Sequence, residues 1–314
     1  MSLKSLPKDL KDAESFIENL HAVYGAVAAQ AIVAQLGQES AHAFWVNPLR
    51  EVRDIRSLLP AGSQPVTGLA EVWQVPRDSG LTSADAAVNG DIYVQNPSST
   101  FAARVLEPRC DEEILDLAAA PGGKTICIAG MMRNTGRLAA VEPVKGRFHR
   151  LRANVARCGV TNVEFYQRDG RGVGRAVGER FDRVLLDAPC SSEARMRWFA
   201  PASYQHWSVR KVRESQRKQK SLLRSAYAAL KPGGRLVYCT CSFSVQENEL
   251  VVQHLLDRTD ARVEPISLHP GNRIAGVTAF NGRSLAEDLV HTLRIVPDSV
   301  WDGFYIAALR KPLA

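Results

Sequence analysis

Two cysteines stand beside polar residues where an apolar run gives way to a loop: Asp187-Ala-Pro-Cys190-Ser191 and Thr240-Cys241-Ser242. Cysteine is the most nucleophilic side chain near neutral pH once positive charge or a helix dipole lowers its pKa. If the preceding runs, FDRVLLD and RLVYCT, are adjacent strands, Cys190 and Cys241 share one cleft. A third segment, Asp116-Leu-Ala-Ala-Ala-Pro-Gly-Gly-Lys-Thr125, puts small residues and two glycines between a strand and a helix. There Ala118, Ala119, Ala120, Pro121, Gly122 and Gly123 expose bare backbone, so a ligand can come close and meet free N–H groups. Lys124 and the helix starting near Val245 can supply the positive charge a thiolate needs. The spacing is neither GxxxxGK[ST] nor GxGxxG, and the segment by itself also suits a structural turn.

Two acids complete the set. Glu142 ends the next strand, just before Pro143, and Asp169 follows the strand after that. In a nucleotide-binding sheet, a carboxylate at the end of the second strand can accept both ribose hydroxyls, and Asp169 can reach an adenine amine. Each is equally suited to cap a helix or turn. No metal is expected: there is no pair of CxxC motifs and no HExxH, and the seven histidines are scattered. Cys110, Cys127, Cys158 and Cys239 are expected to be buried, inert thiols. Trp198, Phe199, Tyr204 and Trp207 interleave with basic residues, a pattern that suits either stacking on exposed bases or packing under a lid.

The elements that must position these groups follow from periodicity. Residues 9–37 carry apolar side chains at helical spacing. The stretch 46–69 is broken by Pro48, Pro60, Gly62, Pro65 and Gly68 and is expected to form short strands and turns. From Glu112 onward, EEILDLA, RLAAVE, NVEFYQ, FDRVLLD and RLVYCT read as strands separated by helices. A KPGG turn precedes the last of these, and late strands are expected at 261–266 and 303–309. This alternation specifies a doubly wound, mostly parallel α/β sheet, whose ligand lies at the carboxyl ends of the strands. The change of pattern divides the chain near Pro108 into an N-terminal α+β accessory domain, 1–108, and a catalytic domain, 109–314.

Of the 314 residues 45% are hydrophobic and 23% charged, as in a globular protein with a real core. The longest apolar run, Ala22–Ala29, is far short of the roughly 20 residues of a membrane span, and the charged N-terminus has no secretory pattern. A cytoplasmic protein with reduced thiols is therefore expected, with no membrane and as a monomer. Charge is uneven. Residues 1–110 hold 9 basic and 12 acidic side chains, net −3, whereas residues 111–314 hold 31 and 21, net +10. Nine basic residues and one acid, Glu214, fall between Arg195 and Arg224. Such a patch favours a polyanion.

Together the motifs resemble those of the Nol1/Nop2/Sun (NSUN, RsmB/RsmF-like) RNA cytosine carbon-5 methyltransferase family. The resemblance lies in DLAAAPGGKT (116–125), Glu142, the Asp169-Gly pair, DAPCS (187–191), LKPGGRLVYCTCS (230–242) and ENE (247–249), with weaker matches in YVQNPSS (93–99) and VNPLR (46–50). Ser192 stands where that family more often has glycine. The resemblance implies a Rossmann-like, seven-stranded sheet with a last antiparallel strand, and S-adenosyl-L-methionine as cofactor. It implies that 118–124, Glu142 and Asp169 hold that cofactor, with Asp187 beside it. It further implies that Cys241 attacks cytosine carbon 6, that Cys190 assists breakdown of the covalent adduct, that Asp187 bonds the ring nitrogen or amine, and that Lys124 lies near the target base. Ribosomal RNA is the expected substrate, with transfer RNA the alternative. Adenine amino methylation is disfavoured because DAPC replaces a [DN]PPY motif. A non-catalytic RNA-binding assembly factor is the other reading, and loss of Cys241 or of the glycine loop would have favoured it.

Overall fold

A computed structural model of the chain describes residues 6–50, 55–268 and 270–313. The expectation of turns at 51–54 lies outside them. The chain begins with α1 (Ala13–Leu36), interrupted at Gly25 by non-helical backbone. By length and composition α1 is apolar enough to cross a membrane, yet Phe16, Leu20, Ala29, Ile32, Val33 and Leu36 are buried in the core. Strands β1 (His42–Val46), β2 (Gln64–Val66) and β3 (Leu69–Val75) follow, then the short helix α2 (Asp85–Asn89) and β4 (Ile92–Val94). They form an antiparallel sheet in the order β2-β3-β1-β4. Helix α3 (Pro97–Val105) leads out of it, its N-terminus capped by Asn96, which accepts from the Ser98 amide.

The second half alternates as the sequence implies. It runs β5 (Glu113–Asp116), α4 (Gly123–Met131), β6 (Arg137–Val141), α5 (Lys145–Arg157), β7 (Val163–Tyr166), α6 (Val173–Val177), β8 (Phe181–Asp187), α7 (Val209–Ala229), β9 (Leu230–Thr240) and α8 (Glu249–Leu256). The chain ends in β10 (Arg262–Glu264), β11 (Arg273–Ala275), the hairpin β12 (Ala279–Phe280) and β13 (Arg283–Ser284), β14 (Leu293–Ile295) and β15 (Phe304–Arg310). The main sheet has the order β11-β14-β15-β9-β8-β5-β6-β7. Strands β7, β6, β5, β8 and β9 are parallel, and β15 pairs antiparallel with β9.

Two details depart from the sequence reading. The sheet has nine strands, not seven, because β14 pairs with the first half of β15 and β11 adds on to β14; β10, expected at 261–266, pairs with the second half of β15. The KPGG segment is not a free turn. It lies within β9, where the register against β8 shifts and Gly233 adopts a φ of +74°.

One apolar core fills the face covered by α1, α3, α4 and α5 and joins both halves of the chain; a second lies under α6, α7 and α8. Arg294 and Glu249 of the ENE segment form a fully buried ion pair. Arg294 Nη1 also donates to the Tyr24 hydroxyl at 3.1 Å and to the Phe243 carbonyl at 2.9 Å. An unpaired charge here would be costly, and these partners remove that penalty. The result ties α1, α8 and strand β14 together just behind the Thr240-Cys241-Ser242 segment.

Candidate active site

The carboxyl ends of β5, β6, β8 and β9 supply the chemistry. At the end of β5 the chain must turn sharply into α4, and two glycines make the turn possible. Gly122 has a φ of +112°, a region that favours glycine. A Cβ on Gly123 would sit 2.6 Å from Gln95 Nε2 and 2.9 Å from the Tyr93 ring of β4, so a larger residue would have to displace both side chains. The turn aims Lys124 inward, where it is buried. Its Nζ lies 2.7 Å from Asp187 Oδ2, at the end of β8, and 3.2 Å from Ser99 Oγ in α3. Burial works against the Lys124 charge, but Asp187 and its other neighbours outweigh it and hold the ammonium above lysine's usual range.

Adjacent strands β8 and β9 bring the two cysteines together. Cys190 Sγ and Cys241 Sγ are 3.3 Å apart and both are free thiols. Beyond β9, Thr240 Oγ1 donates to Asn248 Oδ1 (2.6 Å) and Asn248 Nδ2 donates to the Ser242 carbonyl (2.8 Å), which fixes the turn that carries Cys241. The Ala194 amide donates to the Cys241 carbonyl at 3.0 Å, tying the loop after β8 to the loop after β9. The pair is electrostatically unequal. A hydrogen bond from Cys190 brings the Cys241 thiol down to about 6 against the effect of burial, and Arg195 and Ser192 add to the lowering. Cys190 is pushed well up by that same hydrogen bond and by burial. This asymmetry favours the thiolate at Cys241 over one at Cys190. Cys239, two residues before Cys241, is buried and pushed well up, as an inert thiol should be.

Two cavities meet at Asp187. One, of about 490 Å³, is lined by Ala118, Ala120, Pro121, Glu142, Asp169, Asp187, Cys190, Arg195, Lys218 and Cys241. The other, of about 230 Å³, is lined by Tyr93, Gln95 and Asn96 from the N-terminal half and by Asp116, Ala119, Gly123, Lys124 and Arg195. Gly122 lines neither; an added Cβ there would meet Leu151 Cδ1 of α5 at 3.1 Å. Glu142 is buried, with Oε1 accepting from the Val144 amide at 2.9 Å and Oε2 lying 3.6 Å from Arg147 Nη2. Asp169 caps the turn after β7, accepting from the Arg171 amide at 2.9 Å, and Arg171 holds its carboxyl below the usual range. Among the described residues no cluster of three or more His, Cys, Asp or Glu side chains is arranged to hold a metal ion.

The model of the family described as 16S rRNA methyltransferase RsmB/F matches residues 103–310, which hold every one of these strand ends. The chain belongs to the RsmB/F methyltransferase family. It is 43% identical over 227 residues to the tRNA (cytosine(49)-C(5))-methyltransferase of Pyrococcus abyssi, covering 71% of each chain. It is 39% identical over 279 residues to the ribosomal RNA small subunit methyltransferase F of Klebsiella pneumoniae, covering 86% of this chain but 57% of that one. Among solved structures, a methyltransferase homolog protein from Pyrococcus horikoshii superposes with a TM-score of 0.85 at 31% identity, over 98% of both chains.

The resemblance drawn from the motifs is therefore correct at the level of family, and the sheet is the methyltransferase sheet it implied. Three details of this RsmB/F-family chain were not legible beforehand. Arg195 was counted only as part of a basic stretch, yet it lines both cavities and lowers the Cys241 thiol. The aromatic residues of that stretch mostly pack rather than await bases. Trp207 and Tyr204 are buried, Trp198 Nε1 donates to the Val33 carbonyl, and Phe16 of α1 meets both tryptophans edge-on. Only Phe199 is exposed. Cys110, expected to be buried, is exposed.

Proposed function

We propose that the protein is an S-adenosylmethionine-dependent RNA methyltransferase that forms 5-methylcytosine through a covalent bond between Cys241 and the base. The observation that carries this is the 3.3 Å pair of unequal thiols beside the Lys124–Asp187 ion pair. Both named relatives are RNA methyltransferases, one of them for cytosine carbon 5. Ribosomal RNA is the first candidate substrate, because the matching family model is one of 16S rRNA enzymes. Transfer RNA is the alternative, favoured by the Pyrococcus abyssi relative. A monomer acting in the cytoplasm is proposed with this reading. Residues 1–108 serve as the accessory, RNA-recognition part and close the smaller cavity through Tyr93, Gln95 and Asn96.

The residues present fit the cofactor. Asp116 Oδ2 accepts from Thr125 Oγ1 at 2.7 Å, but Oδ1 is buried with no partner, and burial raises the carboxyl to about 6. An orphaned acceptor at the edge of the smaller cavity suits an ammonium group. Glu142 and Asp169 suit a ribose and an adenine at the ends of β6 and β7. The larger cavity is of ligand size. When bound, S-adenosylmethionine supplies an electrophilic sulfonium methyl.

The chain's own residues supply the rest. Cytosine carbon 5 is a poor nucleophile. Addition of Cys241 Sγ to carbon 6 pushes an electron pair into the ring and makes carbon 5 enamine-like. Asp187 and Lys124 face that ring and stabilise the developing charge. After carbon 5 has gained a methyl group, a base in the cleft takes its proton, the C–H electron pair re-forms the carbon 5–carbon 6 double bond, and the carbon 6–sulfur bond breaks with its pair going to sulfur; the departing Cys241 thiolate is met by the Cys190 thiol. The base must leave its stack to reach this cleft. Phosphates then meet Arg150 and Lys218, which line the larger cavity.

The test is incubation with deuterated-methyl S-adenosylmethionine and size-fractionated cellular RNA, followed by nucleoside mass spectrometry. Labelled 5-methylcytidine confined to one RNA fraction is expected and identifies the substrate class. No label in free RNA or in ribosomal particles would overturn the enzymatic reading. The cofactor assignment has its own check. Asp116→Asn and Glu142→Ala should each weaken S-adenosylmethionine binding about tenfold, as loss of a charged hydrogen bond does. Calorimetry would show it, with the unliganded melting temperature nearly unchanged for Asp116→Asn. Unchanged affinity in both variants would remove these acids from the cofactor site.

A further inference from the structure

The sequence singled out the ENE segment without giving its first residue any task. Glu247 is completely buried and takes four hydrogen bonds. Its Oε1 accepts from the Ser191 amide (2.9 Å) and from Gln219 Nε2 (2.9 Å), and its Oε2 from Ser242 Oγ (2.8 Å) and from the Ser191 hydroxyl. Ser191 follows Cys190 and Ser242 follows Cys241. Gln219 Nε2 also donates to the Pro189 carbonyl at 3.0 Å, so the same cluster grips the residue before Cys190. We propose that Glu247 is a positioning residue for the cysteine pair: it clamps the loop after β8 to the loop after β9 and so sets the distance and direction between the two sulfurs. This rests on the reading of Cys241 as the nucleophile.

A second buried acid makes the clamp more than a set of contacts. Glu193 Oε2 accepts from Ser242 Oγ (2.9 Å) and from the amides of Phe243 (2.7 Å) and Ser244 (3.0 Å), while Oε1 accepts from Trp207 Nε1 (3.0 Å). Ser242 thus touches both carboxylates, yet its hydroxyl has one proton to give. Satisfying both contacts requires a further proton on the acid pair, with one carboxylic acid donating back to the serine oxygen. The electrostatics agree. Burial, and then the charge of Glu193, push Glu247 up to about 7, and burial pushes Glu193 up as well. Burial and the neighbouring charge thus act in the direction that keeps a proton on the acid pair, the state in which the clamp is fully bonded. The clamp also favours the proton arrangement of the cysteines. Cys190 is kept a thiol chiefly by its bond to Cys241 and by burial, and the Glu247 charge adds to this.

The test reads the sulfurs directly. Carboxamidomethylation of Cys241 by iodoacetamide is followed by peptide mass spectrometry across pH, on the full chain without RNA. Glu247→Ala frees the two loops, so the pH midpoint should rise by about one unit or more, toward an ordinary thiol near 8.5. Glu247→Gln keeps an acceptor for the Ser191 amide and stays close to wild type. Ser191→Ala removes one arm, moves the midpoint up by less, and decides the matter if Glu247→Ala does not fold. With RNA, kcat should fall about tenfold in Glu247→Ala while KM stays within about twofold, the pattern of a misplaced nucleophile. An unmoved midpoint in a folded Glu247→Ala, or in Ser191→Ala, overturns the clamp, as does a Glu247→Gln protein that behaves like the alanine variant. Shifted midpoints in a protein that methylates no RNA would leave the clamp standing and sink the proposed function. Normal methylation with unmoved midpoints would do the reverse.

Discussion

Replacing Cys190 with alanine should leave the protein bonded to its RNA. In the proposed reaction the Cys190 hydrogen bond stabilises only some of the states through which Cys241 passes. It acts on the free Cys241 thiolate, 3.3 Å away, both before attack and after release. It cannot act on the adduct, where the sulfur is a neutral thioether. Removing the donor therefore raises the energy of the free thiolate and leaves the adduct alone. A hydrogen bond to a charged group is worth roughly 1.5–3 kcal/mol, or about one to two orders of magnitude in the balance between adduct and free enzyme. Cys190→Ala should accumulate a band on denaturing gels that contains both protein and labelled RNA, and its turnover should fall by at least that factor. Attack is slowed as well, because the Cys241 thiol rises, but release suffers too and the adduct persists. Cys241→Ala should form no band and no product, and the double variant should match it. A Cys190→Ala protein that turns over without a band would remove Cys190 from the release step. Trapping by Cys241→Ala instead would exchange the roles of the two thiols.

Much of this site was legible because it is local in sequence. A strand ending in small residues, then Pro-Gly-Gly-Lys, has few ways to turn, and parallel α/β topology places successive strand ends on one rim. That reasoning brought Lys124, Asp187, Cys190 and Cys241 together and set Glu142 and Asp169 on the same edge. What escaped depends on tertiary placement. Glu193 lies in an irregular loop and Glu247 beside a helix start, where acids are usually solvated caps. Nothing local says that both lose their water and share one serine. The aromatics of 198–207 alternate with charge as a base-stacking surface would, but α1 is apolar enough to cover them, and it does. The nine-stranded count escaped because β11 and β14 are three residues each, too short for a periodicity to develop. In each case the missing information is which distant element arrives as the neighbour.

Disabling the Lys124–Asp187 pair should cost kcat and spare KM. When Cys241 Sγ adds to carbon 6, the thiolate's charge moves into the ring, and a stabilising group matters only to the extent that it meets that charge. Lys124 is suited to this. It is buried, it is held protonated, and Asp187 and Ser99 fix its Nζ at 2.7 and 3.2 Å. A fixed cation in a water-poor cleft needs no reorganisation as the bond forms, and removal of one such donor costs about 10²–10³-fold in kcat. Lys124→Met should show a loss of that size with KM for RNA changed by no more than a few-fold. Asp187→Asn should show a similar loss for a different reason, since it unfastens the ammonium and weakens the acceptor offered to the base. That loss cannot come from the nucleophile. The Cys241 thiol is set chiefly by its bond from Cys190, and the Asp187 charge acts to raise it, so removing Asp187 makes the thiolate easier to form. Because the two residues act as one unit, the double variant should be no worse than about tenfold below the poorer single variant, rather than showing the product of both losses. Steady-state kinetics on the four proteins of this cycle decide it. Multiplying losses would mean that lysine and aspartate work on separate steps, and losses confined to KM would mean that the pair merely binds the ground-state base.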